Sequence, residues 1–309
     1  MQRIITVTAN AALDWTCLVT GLRPGSRHLV RESYRQAGGK GVNVARSLAA
    51  LGQEVRTIVV VGGNTGEEIL RDLERADLAP IPVVASGESR TCLEIIDEGT
   101  GAATQLHEAG IEADQGTTRS LVAAVEQALA NATWLALCGS LARGLPLGLY
   151  ATLIHLARER GVRVSLDASG DALVEGYRAG PDLLRINRGE AAMLEELDLA
   201  SPSSAAQRIA RGFVSDGAGE IVAWNTDGSV WRIVPPSVAV RNTIGCGDAM
   251  LAGLLARVDS SGFEDAARFA TALASADAES TTAGRPQVSR ARELLDSVEI
   301  FRADGSQPR

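Results

Sequence analysis

Aromatic side chains make up only 4% of this 309-residue chain, and it carries just four cysteines and three histidines. With so few rings the core must be aliphatic, and a hydrophobic content of 45% suffices for one large core or a core with a small appendage. Cys17, Cys92, Cys138 and Cys246 are scattered, with no Cys-x-x-Cys pair and no histidine at zinc spacing, so reduced thiols are expected. Positive charge is not in excess. The net charge is −8 and the pI near 5.1, which argues against nucleic acid as a partner, because phosphate-backbone binding needs a basic face. Long apolar runs are missing too: Met1 to Val7 is short and alternating and reads as a strand rather than a signal, so a cytoplasmic chain with no membrane partner is expected. Any phosphate ligand must then be met locally.

What is present is an alternation of apolar strands and amphipathic helices. Strands are predicted at Ile4–Val7, Val55–Val61, Trp134–Cys138, Arg163–Asp167, Leu183–Ile186 and Val238–Val240. Helices are predicted from Val42 to about Leu51, Gly66 to about Ala76, Thr118–Ala130, Pro146–Arg160 and Ala191–Leu197. This pattern implies a mostly parallel sheet with helices on both faces, with ligands gathered at the carboxyl ends of the strands. Asp14, Gly139-Ser140, Asn187 and Asp248 all follow such strands. Two segments, about 11–35 and 89–107, read as strands with no helix between them, as in an ordinary surface hairpin. No repeat is visible, and the tail after Arg302 is expected to fray.

Two glycine turns open apolar helices. In Asn242-Thr243-Ile244-Gly245-Cys246-Gly247-Asp248, the glycines remove the Cβ atoms that would block close backbone approach, so successive N–H groups can face one anion. Asp248 then lies where it could take a proton from an attacking hydroxyl, an arrangement suited to phosphoryl transfer. Alone, such a turn also simply joins strand to helix, with Asp248 as a cap. A second turn, Gly38-Gly39-Lys40-Gly41-Val42-Asn43, suggests a second ligand. Lys40 inside it is a costly cation unless an anion arrives.

These residues resemble the PfkB or ribokinase-like carbohydrate kinases, within them the phosphosugar branch of 1-phosphofructokinase, tagatose-6-phosphate kinase and the minor 6-phosphofructokinase. The resemblance runs from Thr6 to about Pro286. It implies a three-layer α/β/α fold over the single domain 1–309, with a small β lid that often also forms a homodimer contact. It implies Asp248 as catalytic base, with Gly245, Cys246 and Gly247 as the anion turn. Asp14, Gly38, Gly39 and Asn43 would hold sugar hydroxyls, and Lys40, Arg27, Arg90 and Ser140 the substrate's own phosphate. Asn187, Thr226, Gly228, Thr243 and Gly245 would meet ATP, with Glu190 of Asn-x-x-Glu organising Mg²⁺ indirectly. Glu190 is equally an acidic residue that a helix's first turn favours.

Several positions depart from the family pattern. Ala11 and Ala142 replace proline, Arg185-Ile186 replaces Lys-Pro, Ala223 and Asn225 replace Thr/Ser and Gly on the nucleotide side, and Cys246 replaces alanine. A thiol at a helix N-terminus is a candidate for thiolate chemistry, or else a small filler. The expected activity is ATP-dependent phosphorylation of fructose 1-phosphate, tagatose 6-phosphate or fructose 6-phosphate at a primary hydroxyl. Alternatives are a kinase for an unphosphorylated sugar or nucleoside, and a non-catalytic sugar-phosphate-binding regulator.

Overall fold

The computed structural model describes residues 3–197 and 209–303. Its larger sheet has ten strands. Seven run parallel in the order β11 (Arg211–Ser215), β10 (Leu183–Asn187), β9 (Arg163–Asp167), β8 (Trp134–Cys138), β1 (Arg3–Thr8), β4 (Glu54–Val61) and β5 (Pro80–Val84). Beyond β11 the sheet continues antiparallel through β12 (Ile221–Trp224), β13 (Val230–Val234) and β14 (Glu299–Arg302).

Central strands of such a sheet are covered on both sides, and the residues show it: Ile4 and Ile5 are both fully buried, one in each of two apolar clusters. Helices Lys40–Ala50, Gly63–Arg75, Cys246–Arg257, Phe263–Ala278 and Val288–Leu294 supply one cluster. Helices Gln115–Ala128, Leu149–Glu159, Gly170–Arg178 and Arg188–Glu196 supply the other. Among the described residues, no helix is long and apolar enough to cross a membrane.

A second sheet of four strands runs in the order β3 (Glu32–Gly38), β2 (Ala12–Val19), β6 (Arg90–Asp97) and β7 (Ala103–His107). Asp14 therefore lies on β2 of this small sheet, opposite Gln36 of β3 and Cys92 of β6, and not simply in a loop after β1.

One expected strand does not form. Residues 235–242 are irregular, because Pro235 and Pro236 offer no N–H to a ladder and Val240 is exposed; the strand before Asp248 is β13, which ends at Val234. Both glycine-turn helices begin within their turns, at Lys40 and Cys246. The tail expected to fray lies, from residue 304 on, outside the described residues.

Candidate active site

The strand ends and the two turns enclose a cavity of about 350 Å³ between the sheets, lined by Asp14, Gly39, Lys40, Asn43, Arg90 and Asp248, with Arg185, Asn187, Thr243, Gly245 and Gly247. The first turn is forced by crowding. Gly39 has φ 100°, and a Cβ there would stand 2.8 Å from the Thr8 methyl; a Cβ on Gly38 would fall on the Asp14 carboxylate. The helix that follows presents Asn43 one turn in. Its buried Nδ2 donates to Asp248 Oδ2 at 2.8 Å, joining residues 205 apart, while its Oδ1 has no partner among the described residues.

The second turn is built the same way. Gly245 is left-handed at φ 90°, and a Cβ would meet the backbone N of Gly284 at 2.7 Å; a Cβ on Gly247 would strike the Arg185 guanidinium. Asp248, 5% exposed, sits in the first turn of the helix Cys246–Arg257. Burial and, after it, the charge of Asp167 raise its pKa to about 7, against the lowering effects of Lys40, the Asn43 hydrogen bond and Arg185. A carboxylate near neutrality is matched to general-base work at ordinary pH.

Lys40 already has its anion. Its Nζ lies 2.6 Å from Asp167 Oδ1 and 3.9 Å from Glu190 Oε1. Burial alone would depress the ammonium, but the carboxylates of Asp167, Asp248 and Glu190 outweigh it and hold the group well above lysine's ordinary value. Asp167 is fully buried and also receives Arg185 Nη1 at 3.4 Å, while Arg185 Nη2 donates to Ser215 at 2.8 Å. Asp167 was not anticipated from the sequence; the available signal was an acidic residue at the carboxyl end of a strand of the parallel sheet.

Arg90, in the lining, donates from Nη2 to the backbone O of Asn10 at 3.1 Å, and Asn10 Nδ2 donates to Ser140 Oγ at 3.3 Å; neither Asn10 nor the expected Ser140 is itself among the lining residues. Arg90 Nε and Asn10 Oδ1 are buried with no partner among the described residues. Asn10 joins Asp167 among the residues sequence reasoning passed over. Ser140 is steadied from behind, where Tyr150 OH donates to the carbonyls of Cys138 and Gly139 at 3.1 and 3.2 Å. Burial, countered by Arg90 and reinforced by Glu94, raises Asp14 to about 7.

Not every expected residue reaches the cavity. Arg27 is exposed in the loop joining β2 to β3, which carries it past the sheet, and it is not among the cavity's lining residues. Thr226 and Gly228 form the β12–β13 turn at the sheet's antiparallel side, likewise outside the lining. Asn187 and Glu190 cap each other's backbone N–H, each at 2.9 Å, at the start of the helix Arg188–Glu196. Cys246 is not an activated thiol: burial first, then Asp277 and Asp248, push it up to about 12, so the helix N-terminus is overruled and the side chain acts as packing.

Residues 3–290 match the pfkB family of carbohydrate kinases. The 1-phosphofructokinase of Rhodobacter capsulatus is 35% identical over 281 residues, 88% of this chain and 89% of that protein. The structure of the tetrameric inhibited form of Escherichia coli phosphofructokinase-2 superposes with a TM-score of 0.86 at 27% identity, covering 96% and 99% of the two chains. A possible 1-phosphofructokinase from Thermotoga maritima shares the fold, with a TM-score of 0.88 at 24% identity over 98% and 100%. A buried carboxylate at a glycine turn and a family match along nearly the whole chain lead to one conclusion: the chain belongs to the PfkB family, as an ATP-dependent carbohydrate kinase.

Proposed function

We propose that the acceptor is a phosphorylated ketohexose and that Asp248 takes the proton from its primary hydroxyl. As that oxygen bonds to the γ-phosphorus of ATP, the bond from the γ-phosphorus to the ADP oxygen breaks, and the proton passes to the Asp248 carboxylate. The observation that carries this reading is the position of Asp248, buried at the mouth of the turn, anchored by Asn43 and next to Lys40. The N–H groups from Gly245 to Asp248 would cradle the transferred group at the helix N-terminus. Asp14, Gly38, Gly39 and Asn43 would orient the sugar, whose own phosphate would lie on Arg90 and Ser140. Lys40, drawn to Asp167, is better placed for the moving phosphoryl than for the resident phosphate.

The ion we propose is Mg²⁺. Among the described residues no group of three or more His, Cys, Asp or Glu forms a metal site, which fits an ion held mostly by nucleotide phosphates with one or two carboxylates nearby. Glu190, whose Oε1 lies 3.9 Å from Lys40, would face it. When bound, such an ion neutralises charge on the β- and γ-phosphates. Asn187 and Thr243 would line the nucleotide's path, and Thr226 and Gly228 would meet it only beyond the cavity.

The small sheet, segments about 11–35 and 89–107, would act as the lid over the sugar. Its far side holds a second cavity of about 970 Å³ lined by Trp15, Val19, Leu22, Val30, Ile95 and Leu106, an apolar face suited to a second copy of the chain.

Coupled ADP release with fructose 1-phosphate, fructose 6-phosphate, tagatose 6-phosphate, free fructose and a nucleoside tests the substrate class. A phosphosugar should be preferred, and Arg90→Ala should raise its KM by about 10- to 100-fold, the equivalent of a charge-assisted phosphate contact. Preference for a free sugar or nucleoside, or an unaltered KM in the variant, would refute the phosphoketohexose reading; no ADP release with any acceptor would leave a sugar-phosphate-binding regulator.

A further inference from the structure

Asn242 opens the second glycine run, and the chemistry above assigns it no part. It is 6% exposed, and its side chain bonds three separate segments. Oδ1 accepts from Ile244 N at 2.7 Å, inside the turn itself. Nδ2 donates to Thr281 O at 3.1 Å and to Glu94 Oε2 at 3.0 Å. Thr281 belongs to the stretch that backs the turn, where Gly284 leaves no space for a Cβ on Gly245. Glu94 is a buried carboxylate of β6 in the small sheet, 148 residues away.

A second bridge runs alongside. Gln36, buried on β3, donates to Ala283 O at 3.0 Å and accepts from Arg285 Nε at 2.8 Å. Asp277 in turn accepts from Gly284 N and Arg285 N at 3.4 and 2.9 Å. The small sheet, the turn and the stretch behind it are therefore joined by protein hydrogen bonds alone. Where the small sheet stands bears directly on the backbone that faces the phosphoryl group.

We propose that Asn242 is a positioning residue which, with Glu94, couples the small sheet to the Gly245–Asp248 turn, so that the turn's N–H groups are aligned only while that sheet is seated over the acceptor. This rests on the reading of the turn as the phosphoryl-binding element. It gives the chain a means to hold back ATP hydrolysis until a sugar is in place, since a misaligned turn neither binds nor activates the γ-phosphoryl.

The bond can be broken and rebuilt. Asn242→Asp keeps the acceptor for Ile244 N but loses the donor and sets a carboxylate against Glu94. Adding Glu94→Gln restores a donor from the other side, while the bond to Thr281 stays lost. With the full chain, phosphosugar, ATP and Mg²⁺, Asn242→Asp should lower kcat by about tenfold or more with the phosphosugar KM within about twofold, and ADP and phosphorylated product should fall together, one to one. The double variant should recover most of the rate. An unchanged kcat in Asn242→Asp, or a double variant as slow as the single, overturns the proposal. If Asn242→Asp fails to fold, Glu94→Ala carries the test, with the same loss of kcat at a near-constant KM expected and a wild-type rate counting against it. A wild-type chain without phosphosugar-dependent ADP release would instead defeat the functional reading beneath it.

Discussion

The two glycine turns are built alike and charged oppositely. Each opens a buried helix, each has a glycine at positive φ (100° at Gly39, 90° at Gly245), and each is pressed from behind so that a side chain cannot be added. The first delivers an ammonium, Lys40, and the second a carboxylate, Asp248. Neither charge is left to itself: Lys40 is drawn to Asp167 from β9, and Asp248 is held by Asn43 from the first turn's own helix. The difference lies in what remains free. The second turn ends on a carboxylate near neutrality, whereas the first contributes a cation already paired with Asp167. On the proposed reading, one turn takes the proton and the other sets the field in which it does so.

The comparison breaks most sharply at Asp248. Asp248→Asn keeps the shape and the neighbours but cannot accept a proton, so kcat should fall by about 10²-fold or more while phosphosugar binding, measured by calorimetry, persists. Near-normal turnover would reduce Asp248 to a helix cap.

Gly245→Ala is next. The new Cβ meets Gly284 N at 2.7 Å and the φ of 90° is strained for alanine, so the turn must shift. A kcat loss of about tenfold or more is expected, because a displacement of about 1 Å at a reacting site is costly. A full rate in a folded variant would show that the turn's backbone does not bind the phosphoryl group.

Removing the first turn's charge should act through pH. Only the ionised Asp248 accepts a proton, so kcat/KM should rise with pH through about 7, and Lys40, which lowers that pKa, helps to keep the limb there. Lys40→Met should move the acid limb of the profile to higher pH and lower the rate at neutrality. An unmoved limb would detach Lys40 from the base.

The smallest effect belongs to Cys246. With its thiol pushed up to about 12, iodoacetamide at neutral pH should leave it unlabelled, and Cys246→Ala should retain kcat within about twofold. ATP-protected labelling with loss of activity would restore a reactive thiol.

How much of this was legible follows from which interactions are local. Strand-helix alternation is a local pattern, so β1, β4, β8, β9 and β10 lie within a residue or two of where their apolar runs predict them. The Val238–Val240 run failed because hydrophobicity alone does not supply ladder donors, and the two prolines before it end β13. Glu190 was readable as either a cap or a metal-side group, and the fold gives it the cap while leaving Oε1 3.9 Å from Lys40.

By itself, then, the sequence determined the layered α/β architecture, both glycine turns and the placing of Asp248 at a helix mouth, because periodicity and turn chemistry act between near neighbours. Tertiary structure alone decided the partners: Asp167 on Lys40 across 127 residues, Asn43 on Asp248 across 205, and Glu94 on Asn242 across 148. It also carried Arg27, Thr226 and Gly228 away from the cavity that their motifs suggested. The physical reason is that a buried charge takes whichever partner the topology brings within hydrogen-bond reach. In this chain, the strand order and the pairing within the small sheet determine which groups those are.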